Sequence, residues 1–105
     1  GNEMSGKGYL IVEASVTDAA AYEIYKCRAQ AAIAQYGGRY LVRGGEMEIL
    51  EGKWTALPRL VIVEFESPEQ ARRFYHSPEY QTARKAREQA AEMNMLVVAG
   101  IDNPV

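Results

Sequence analysis

The sequence predicts a small α+β protein, in which four β-strands form one sheet and the helices lie on a single face of it. Three observations lead to this fold class. The chain has 105 residues, the size of one domain. Four segments rich in β-branched and aromatic residues are separated by segments with helical periodicity. Their order, β-α-β-β-α-(α)-β, offers too few helices to cover both faces of the sheet.

The first half of the chain contains two predicted strands and one long helix. Residues 8–16 (GYLIVEASV) alternate between an apolar face and a mixed face, which is typical of a strand. Residues 17–38 change to helical spacing, with Asp18 as the N-cap and a glycine pair at the end. Residues 39–50 form the second strand, which Gly44-Gly45 interrupts with a bulge or sharp bend.

The second half begins with a loop in residues 51–58 and a strand in residues 59–66. Two Ser-Pro-Glu triplets then stand ten residues apart, each with serine as an N-cap and proline at the first helical position. They predict two consecutive helices, in residues 67–76 and 77–93. Residues 95–101 (MLVVAGI) form the fourth strand.

This order of elements predicts a ferredoxin-like plait with a four-stranded antiparallel sheet. Right-handed crossovers place strands 1 and 3 in the centre and strands 4 and 2 at the edges. The face without helices still carries apolar residues, among them Tyr9 and Ile11, and such a face does not stay in contact with water. We therefore expect two chains to pair sheet to sheet, as a homodimeric α/β barrel.

These expectations agree with a resemblance to a known family. The segments GYLIVEASVTD, YGGRYLVRGGEMEILEGKW, PRLVIVEFES and FYHSPEYQTARKAR resemble the domain-of-unknown-function 1330 family of the dimeric α/β-barrel superfamily. The resemblance covers the chain from about Lys7 to about Arg87, with Ala19 where the family pattern often has proline. It implies a homodimer of ferredoxin-like protomers and no established reaction.

Composition and charge exclude several classes of protein. The net charge of −2 and the pI of about 5.4 disfavour a nucleic-acid binder, which needs a basic face. Cys27 is the only cysteine, so an internal disulfide is excluded. No apolar run approaches the length of a membrane span, and no signal peptide is visible, so we expect a cytoplasmic protein. We expect a single domain over residues 4–105, with Met4 as the natural start and residues 1–3 as an addition.

Three charged residues stand in the middle of predicted strands, Glu13, Arg43 and Glu64. A buried carboxylate without partners is costly, so these positions need an explanation. If all three point to the helix-free face, they meet inside the barrel and form a ligand site with Tyr9 and Tyr40 as aromatic walls. The alternative, which we favour, is a structural Glu-Arg-Glu network that sets strand register or the dimer contact.

For the remaining candidate residues, the sequence favours structural roles. His76 could act as an acid, a base or a haem ligand, a role that enzymes of the superfamily suggest by analogy. However, His76 lies at the end of a predicted helix, and the sequence has no second histidine to complete a metal site. Trp54 lies in a loop that could reach a partner subunit, and Cys27 lies in the middle of a helix. We expect no metal and no cofactor. A basic stretch forms a solvated face or binds an anion or acidic partner; it comprises Arg72, Arg73, Arg84, Lys85 and Arg87.

Two functions follow from these residues. The first is a binding module, a homodimer that holds a small organic ligand between its two sheets. The second is a cofactor-independent enzyme, similar to a monooxygenase or isomerase, with Glu13 or Glu64 as the base and Arg43 as an anion clamp. We favour the binding module, because the sequence contains no complete catalytic constellation.

Overall fold

A computed structural model of the chain describes residues 6–54 and 57–102. The predicted order of elements is confirmed. The elements are β1 (Gly8–Val16), α1 (Ala19–Gln35), β2 (Arg39–Arg43), β3 (Arg59–Phe65), α2 (Pro68–His76), α3 (Pro78–Ala86) and β4 (Ala91–Ala99). Met4, the predicted start of the domain, and residues 1–3 lie outside the described residues.

The four strands form one antiparallel sheet in the order β2-β3-β1-β4. Strands 1 and 3 are therefore central, as the crossover rule predicts. Side chains along β1 alternate between buried and half-buried, because the helices of the described residues cover one of the two faces of the sheet. On the covered face, Leu10 and Val12 belong to the same apolar core as Tyr25 of α1, Phe74 of α2 and Tyr80 of α3.

The long helix α1 begins and ends where its capping residues predict. The Asp18 carboxylate accepts a hydrogen bond from the Ala21 amide at 3.2 Å. At the other end Gly37 takes a φ of +78°, which a residue with a Cβ rarely adopts. The Gly38 amide then donates to the Ile33 carbonyl at 2.8 Å, which completes a Schellman motif.

The two short helices also begin at the predicted caps. Ser67 accepts a hydrogen bond from the Gln70 amide at 3.0 Å, and Ser77 accepts one from the Tyr80 amide at 3.1 Å. His76 is the last residue of α2, as predicted. Among the described residues, no helix has both the length and the apolar character that crossing a membrane requires.

The second strand is shorter than predicted, since it ends at Arg43 rather than at Leu50. The last β2–β3 pair joins Arg43 to Val61. Gly44 then takes a φ of +76°, and the chain leaves the sheet. Residues 46–50 keep a strand-like sequence, but no described segment of the chain pairs with them.

The boundary between the last helix and the last strand also differs from the prediction. The helix predicted over residues 77–93 ends at Ala86, and β4 begins at Ala91 rather than at Met95. Ala91 lies opposite Val16 at the far end of β1. Because β1 is nine residues long, it supplies hydrogen-bond partners to a segment whose local sequence favours helix.

Aromatic rings join the helices to the sheet. The Phe74 ring is fully buried, with its centroid 5.2 Å from that of Phe65 and 4.7 Å from that of Tyr80. Tyr36 contacts Phe74 edge to face at 6.3 Å. The hydroxyls of Tyr25 and Tyr80 are hydrogen-bonded at 2.9 Å, which satisfies two buried polar groups.

Candidate functional site

One face of the sheet carries none of the helices that the structure describes, and we call it the open face. Its central part consists of residues that stand side by side on the three neighbouring strands β3, β1 and β4: Glu64, Tyr9 and Val98; Ile62, Ile11 and Leu96; Leu60, Glu13 and Asn94. Its middle row is entirely apolar, and polar groups lie toward both ends. Leu96 is 56% exposed and Val98 is 48% exposed, so much of this apolar surface is uncovered in the single chain.

At one end of the open face, Glu64 is held by two donors. The Tyr9 hydroxyl donates to its carboxylate at 3.0 Å, and Arg39 Nε donates to its other oxygen at 2.8 Å. The Glu64 side chain is only 16% exposed. The hydrogen bond from Tyr9, aided by Arg39, lowers the pKa of Glu64, and the same hydrogen bond raises the pKa of Tyr9.

This geometry predicts a specific pH dependence. Because the pKa of folded Glu64 lies below its ordinary 4.5, the bonds to its carboxylate stabilise the fold above that pH. The stabilisation is lost as the pH falls through the lower folded-state pKa. In Tyr9→Phe the largest cause of the shift is gone, so we expect the pKa of Glu64 to rise toward 4.5, measured by NMR titration of its carboxyl carbon.

A matched control uses a second tyrosine–glutamate pair. The Tyr36 hydroxyl donates to Glu79 at 2.9 Å, away from the open face. Tyr36→Phe should therefore leave the titration of Glu64 unchanged. An unshifted Glu64 titration in Tyr9→Phe would contradict the assigned hydrogen bond.

Toward the other end of the open face, Glu13 has its own partners. Asn94 Nδ2 donates to its carboxylate at 2.8 Å, and the Leu57 amide donates at 3.3 Å. Glu13 is four positions along β1 from Tyr9, the residue opposite Glu64, so the two carboxylates are separated by about 13 Å along the strands. Within one chain, the expectation that they meet is therefore wrong.

Arg43 and Tyr40 do not join the other candidates, which corrects a second expectation. A bulge between Tyr40 and Val42 shifts the β2–β3 register by one residue. Because side chains alternate across a strand, this shift turns Arg43 to the helix-covered face, opposite Val61. Tyr40 also lies on that face, and the Arg43 guanidinium stands 4.3 Å from the centre of its ring. The sheet thus separates Arg43 from both glutamates.

On the helix-covered side, these residues surround a small cavity, which we call the helix-side cavity. Its volume is about 40 Å³. Apolar core residues form part of its wall, and the described lining includes no aspartate or glutamate. Its polar lining consists of three cations and four tyrosines, Lys26, Arg43, Arg59, Tyr22, Tyr25, Tyr40 and Tyr80.

The three cations differ in how well they are partnered. Lys26 forms an ion pair with Glu23 at 2.9 Å, and Arg43 donates to Gln30 Oε1 at 3.1 Å. Arg59 lies over Tyr22, with 5.9 Å between its guanidinium carbon and the ring centre. Its Nε is shielded from solvent and has no hydrogen-bond partner among the described residues. A buried donor of this kind calls for an acceptor.

Arg59 is not among the site residues that the sequence predicts, where it is only the first residue of a strand. The signal that could have indicated it is Gly44. A Cβ at Gly44 would collide with the Arg59 guanidinium, and the φ of +76° also favours glycine. The glycine therefore lets the chain leave the sheet and makes room for the arginine.

The other candidates lie apart from both sites. His76 is exposed at the end of α2, with its ring edge-on to Tyr75 at 5.2 Å. Trp54 is exposed in the loop before β3, and Cys27 is exposed on α1. Within the described residues, no group of three or more histidine, cysteine or acidic side chains could hold a metal ion.

Solved structures share this fold at low sequence identity. A protein of unknown function from Rhodopseudomonas palustris superposes with a TM-score of 0.72 and 20% identity, over 95% of this chain and 85% of that one. A protein from Bacteroides fragilis, described as dimeric with a ferredoxin-like fold, has a TM-score of 0.60 and 15% identity, over 92% of this chain and 99% of that one.

A third structure, from Bacteroides thetaiotaomicron, is described as a possible oxidoreductase and has a TM-score of 0.58 and 11% identity, over 91% of this chain and 99% of that one. At these identities the likeness shows the fold, which is ferredoxin-like. No curated protein matches the chain significantly. The family model described as "Domain of unknown function (DUF1330)" matches residues 7–101, nearly the whole chain, and the chain therefore belongs to that family.

Proposed function

We propose that this protein is a homodimeric binding module that takes the carboxylate group of a small organic acid into the helix-side cavity. The observation that carries the proposal is the shielded Arg59 Nε, which has no partner among the described residues in a cavity that also contains Arg43 and Lys26. A cavity lined by cations, with no acidic residue in its described lining, attracts an anion, since the local potential is positive. Guanidinium groups bind carboxylates through paired N–H donors.

The tyrosines of the cavity suit the same ligand. Burial raises the pKa of Tyr40 and of Tyr25, so both phenols stay protonated at neutral pH. A protonated phenol can donate to a carboxylate, and its ring can contact the apolar part of a ligand. A volume of about 40 Å³ accommodates a head group rather than a whole ligand, so the rest of the molecule would extend toward solvent.

The homodimer follows from the open face. The four strands have between five and nine residues, so at the usual rise and spacing this side of the sheet measures about 480 Å². A stable interface uses about 800 Å² per partner, which the open face and the adjoining loop can supply together. The dimeric description of the Bacteroides fragilis protein, which shares the fold, agrees with this.

This proposal moves the ligand from between the sheets to the helix side. On the open face, Glu64 and Glu13 already have partners within the chain, so the residues there favour a protein interface. The enzyme hypothesis needs a base beside the Arg43 anion clamp. Because the sheet separates Arg43 from both glutamates, the geometry favours binding over that reaction.

Benzoate titration, followed by NMR of the arginine Nε–H groups, tests the proposed site. We expect saturable shifts of the Arg59 and Arg43 resonances, and none with benzamide, which has the same ring without the charge. Arg59→Met should weaken binding about tenfold to hundredfold, the loss expected for a hydrogen bond to a charged group. Arg73→Met is the matched control, because Arg73 is exposed on α2. Equal benzoate affinity in Arg59→Met and Arg73→Met would overturn the site.

A pair of glycine variants tests the position of Arg59 without removing its charge. Gly44→Ala places a Cβ against the guanidinium, whereas a Cβ at Gly52, which has a similar φ of +77°, would meet no described atom within 4 Å. Gly44→Ala and Gly52→Ala therefore carry similar backbone strain and differ in this contact. We expect only Gly44→Ala to lose benzoate binding, and equal affinity in the two variants would contradict the assigned role of Gly44.

A further inference from the structure

Residues 46–51 (EMEILE), which we call the arm, have a strand-like sequence without a strand to pair with among the described residues. Glutamates alternate with Met47 and Ile49, the pattern of a half-buried strand. In the structure the arm leaves the sheet after Gly44, and Leu50 is 87% exposed. Such a segment gains hydrogen bonds and apolar burial if it joins the edge of a sheet.

The structure offers an unpaired edge of suitable length. β4 pairs with β1 on one side only, and no described strand pairs with its other side. An edge strand presents unsatisfied N–H and C=O groups, which can pair with an added strand. A groove of about 390 Å³ lies between this strand and the helices α2 and α3, with Met95 and Leu96 in its lining.

The groove and the arm have complementary charges. Arg72, Arg84, Arg87 and His76 line the groove, and its described lining includes no acidic residue. The arm carries three glutamates in six residues. Opposite charges that face each other across an interface select the partner and its register.

The arm of the same chain cannot fill this groove. It begins three residues after the end of β2, a span of at most about 11 Å, whereas the order β2-β3-β1-β4 places β2 and β4 at opposite edges, about 14 Å apart across the sheet. A second copy of the chain removes this obstacle, because a two-fold axis can place the β2 edge of one protomer beside the β4 edge of its partner.

We propose that each protomer inserts its arm into the β4 groove of a second copy of this chain, where the arm adds a strand to the sheet and its glutamates meet the groove arginines. The inference rests on the proposed homodimer and deepens it: the open faces supply the apolar contact, and the exchanged arms supply hydrogen bonds and register. On this proposal, the arm is unpaired in the structure because a single chain has no partner groove to receive it.

Charge reversal tests the pairing in the full chain. Glu46→Arg with Glu48→Arg, and separately Arg72→Glu with Arg84→Glu, should each weaken the dimer at least tenfold, measured by sedimentation equilibrium. A chain that carries all four changes should regain most of the affinity, since the charges are again complementary. Lys85→Glu is the matched control, because Lys85 is exposed beside Arg84 but does not line the groove.

Crosslinking tests the contact itself. In a Cys27→Ser background, two differently tagged chains are co-expressed, one with Ile49→Cys and one with Arg84→Cys, and treated with a short bismaleimide. We expect a covalent heterodimer, and much less of it when Lys85→Cys replaces Arg84→Cys. Arg84 is on a helix, so a dimer joined by the open faces alone would not give this product.

The outcomes separate the two proposals. If the dimer keeps its affinity in all charge-reversal variants and gives no Ile49–Arg84 product, the arm exchange is wrong and the homodimer is still supported. The same result is expected if a different acidic partner occupies the groove. A monomeric wild-type chain at micromolar concentration would overturn both. Rescue by the four changes together with the crosslink would establish the exchange.

Discussion

Ile62→Asp is expected to convert the protein into a folded monomer. Ile62 is central on the open face, between Ile11 and Val42 on the neighbouring strands. In a single chain this position is half-exposed, so an aspartate there stays hydrated. In the proposed dimer the same carboxylate would be buried without a partner, at a cost of about 3–5 kcal/mol. We therefore expect the dimer to weaken by about 100-fold to 1000-fold or more.

Sedimentation velocity at micromolar concentration measures this effect, with circular dichroism as the check on folding. Ile24→Asp is the matched control, because Ile24 is an isoleucine on α1 that is 52% exposed away from the sheet. If Ile62→Asp does not fold, Ile62→Thr keeps a β-branched residue and should weaken the dimer to a smaller, measurable degree. A dimer as stable in Ile62→Asp as in Ile24→Asp would refute the proposed interface.

Phe74→Ala is expected to cause the largest loss of stability within one chain. Its ring is fully buried and contacts Phe65 in the sheet and Tyr80 in the next helix. Removing a buried phenylalanine side chain costs about 3–5 kcal/mol, which is a large part of the free energy of unfolding of a small domain. The helices α2 and α3 have nine residues each and depend on this packing, since isolated helices of that length are marginal.

Urea denaturation measures the loss, as a lower transition midpoint at similar slope. The adjacent Tyr75 is only half-buried, so Tyr75→Ala is a matched aromatic truncation with a smaller expected cost. If the two variants lost equal stability, the central position of Phe74 in the core would be wrong. The midpoints should be compared at one protein concentration, because dimer formation adds to the apparent stability.

Local sequence was sufficient for the features that depend on neighbouring residues. Asp18, Ser67 and Ser77 begin helices because a short polar side chain satisfies the open amides of the first turn. The glycines at 37 and 38 end α1 for an equally local reason. The order of the elements then restricted the sheet to the topology that the structure contains.

The candidate site depended on contacts between distant segments, and there the sequence was insufficient. The bulge beside Leu41 has no turn residue to indicate it, yet it turns Arg43 to the opposite face of the sheet from Glu64. Glu64 instead forms its salt bridge with Arg39, which lies four positions before Arg43 on β2. Similarly, pairing with β1 determined where β4 begins, although the local sequence favours a longer helix.

The amino-acid sequence was enough to predict the caps, the number and order of the elements, and hence a ferredoxin-like sheet whose described helices lie on one face. Only the folded chain shows which charged side chains share a face: Glu64 lies with Tyr9 and Arg39 on the open side, and Arg43 lies with Arg59 beside the tyrosines on the helix side. This difference arises because capping and periodicity depend on residues a few positions apart. The face of a strand residue depends on register against another strand, and one extra residue reverses it.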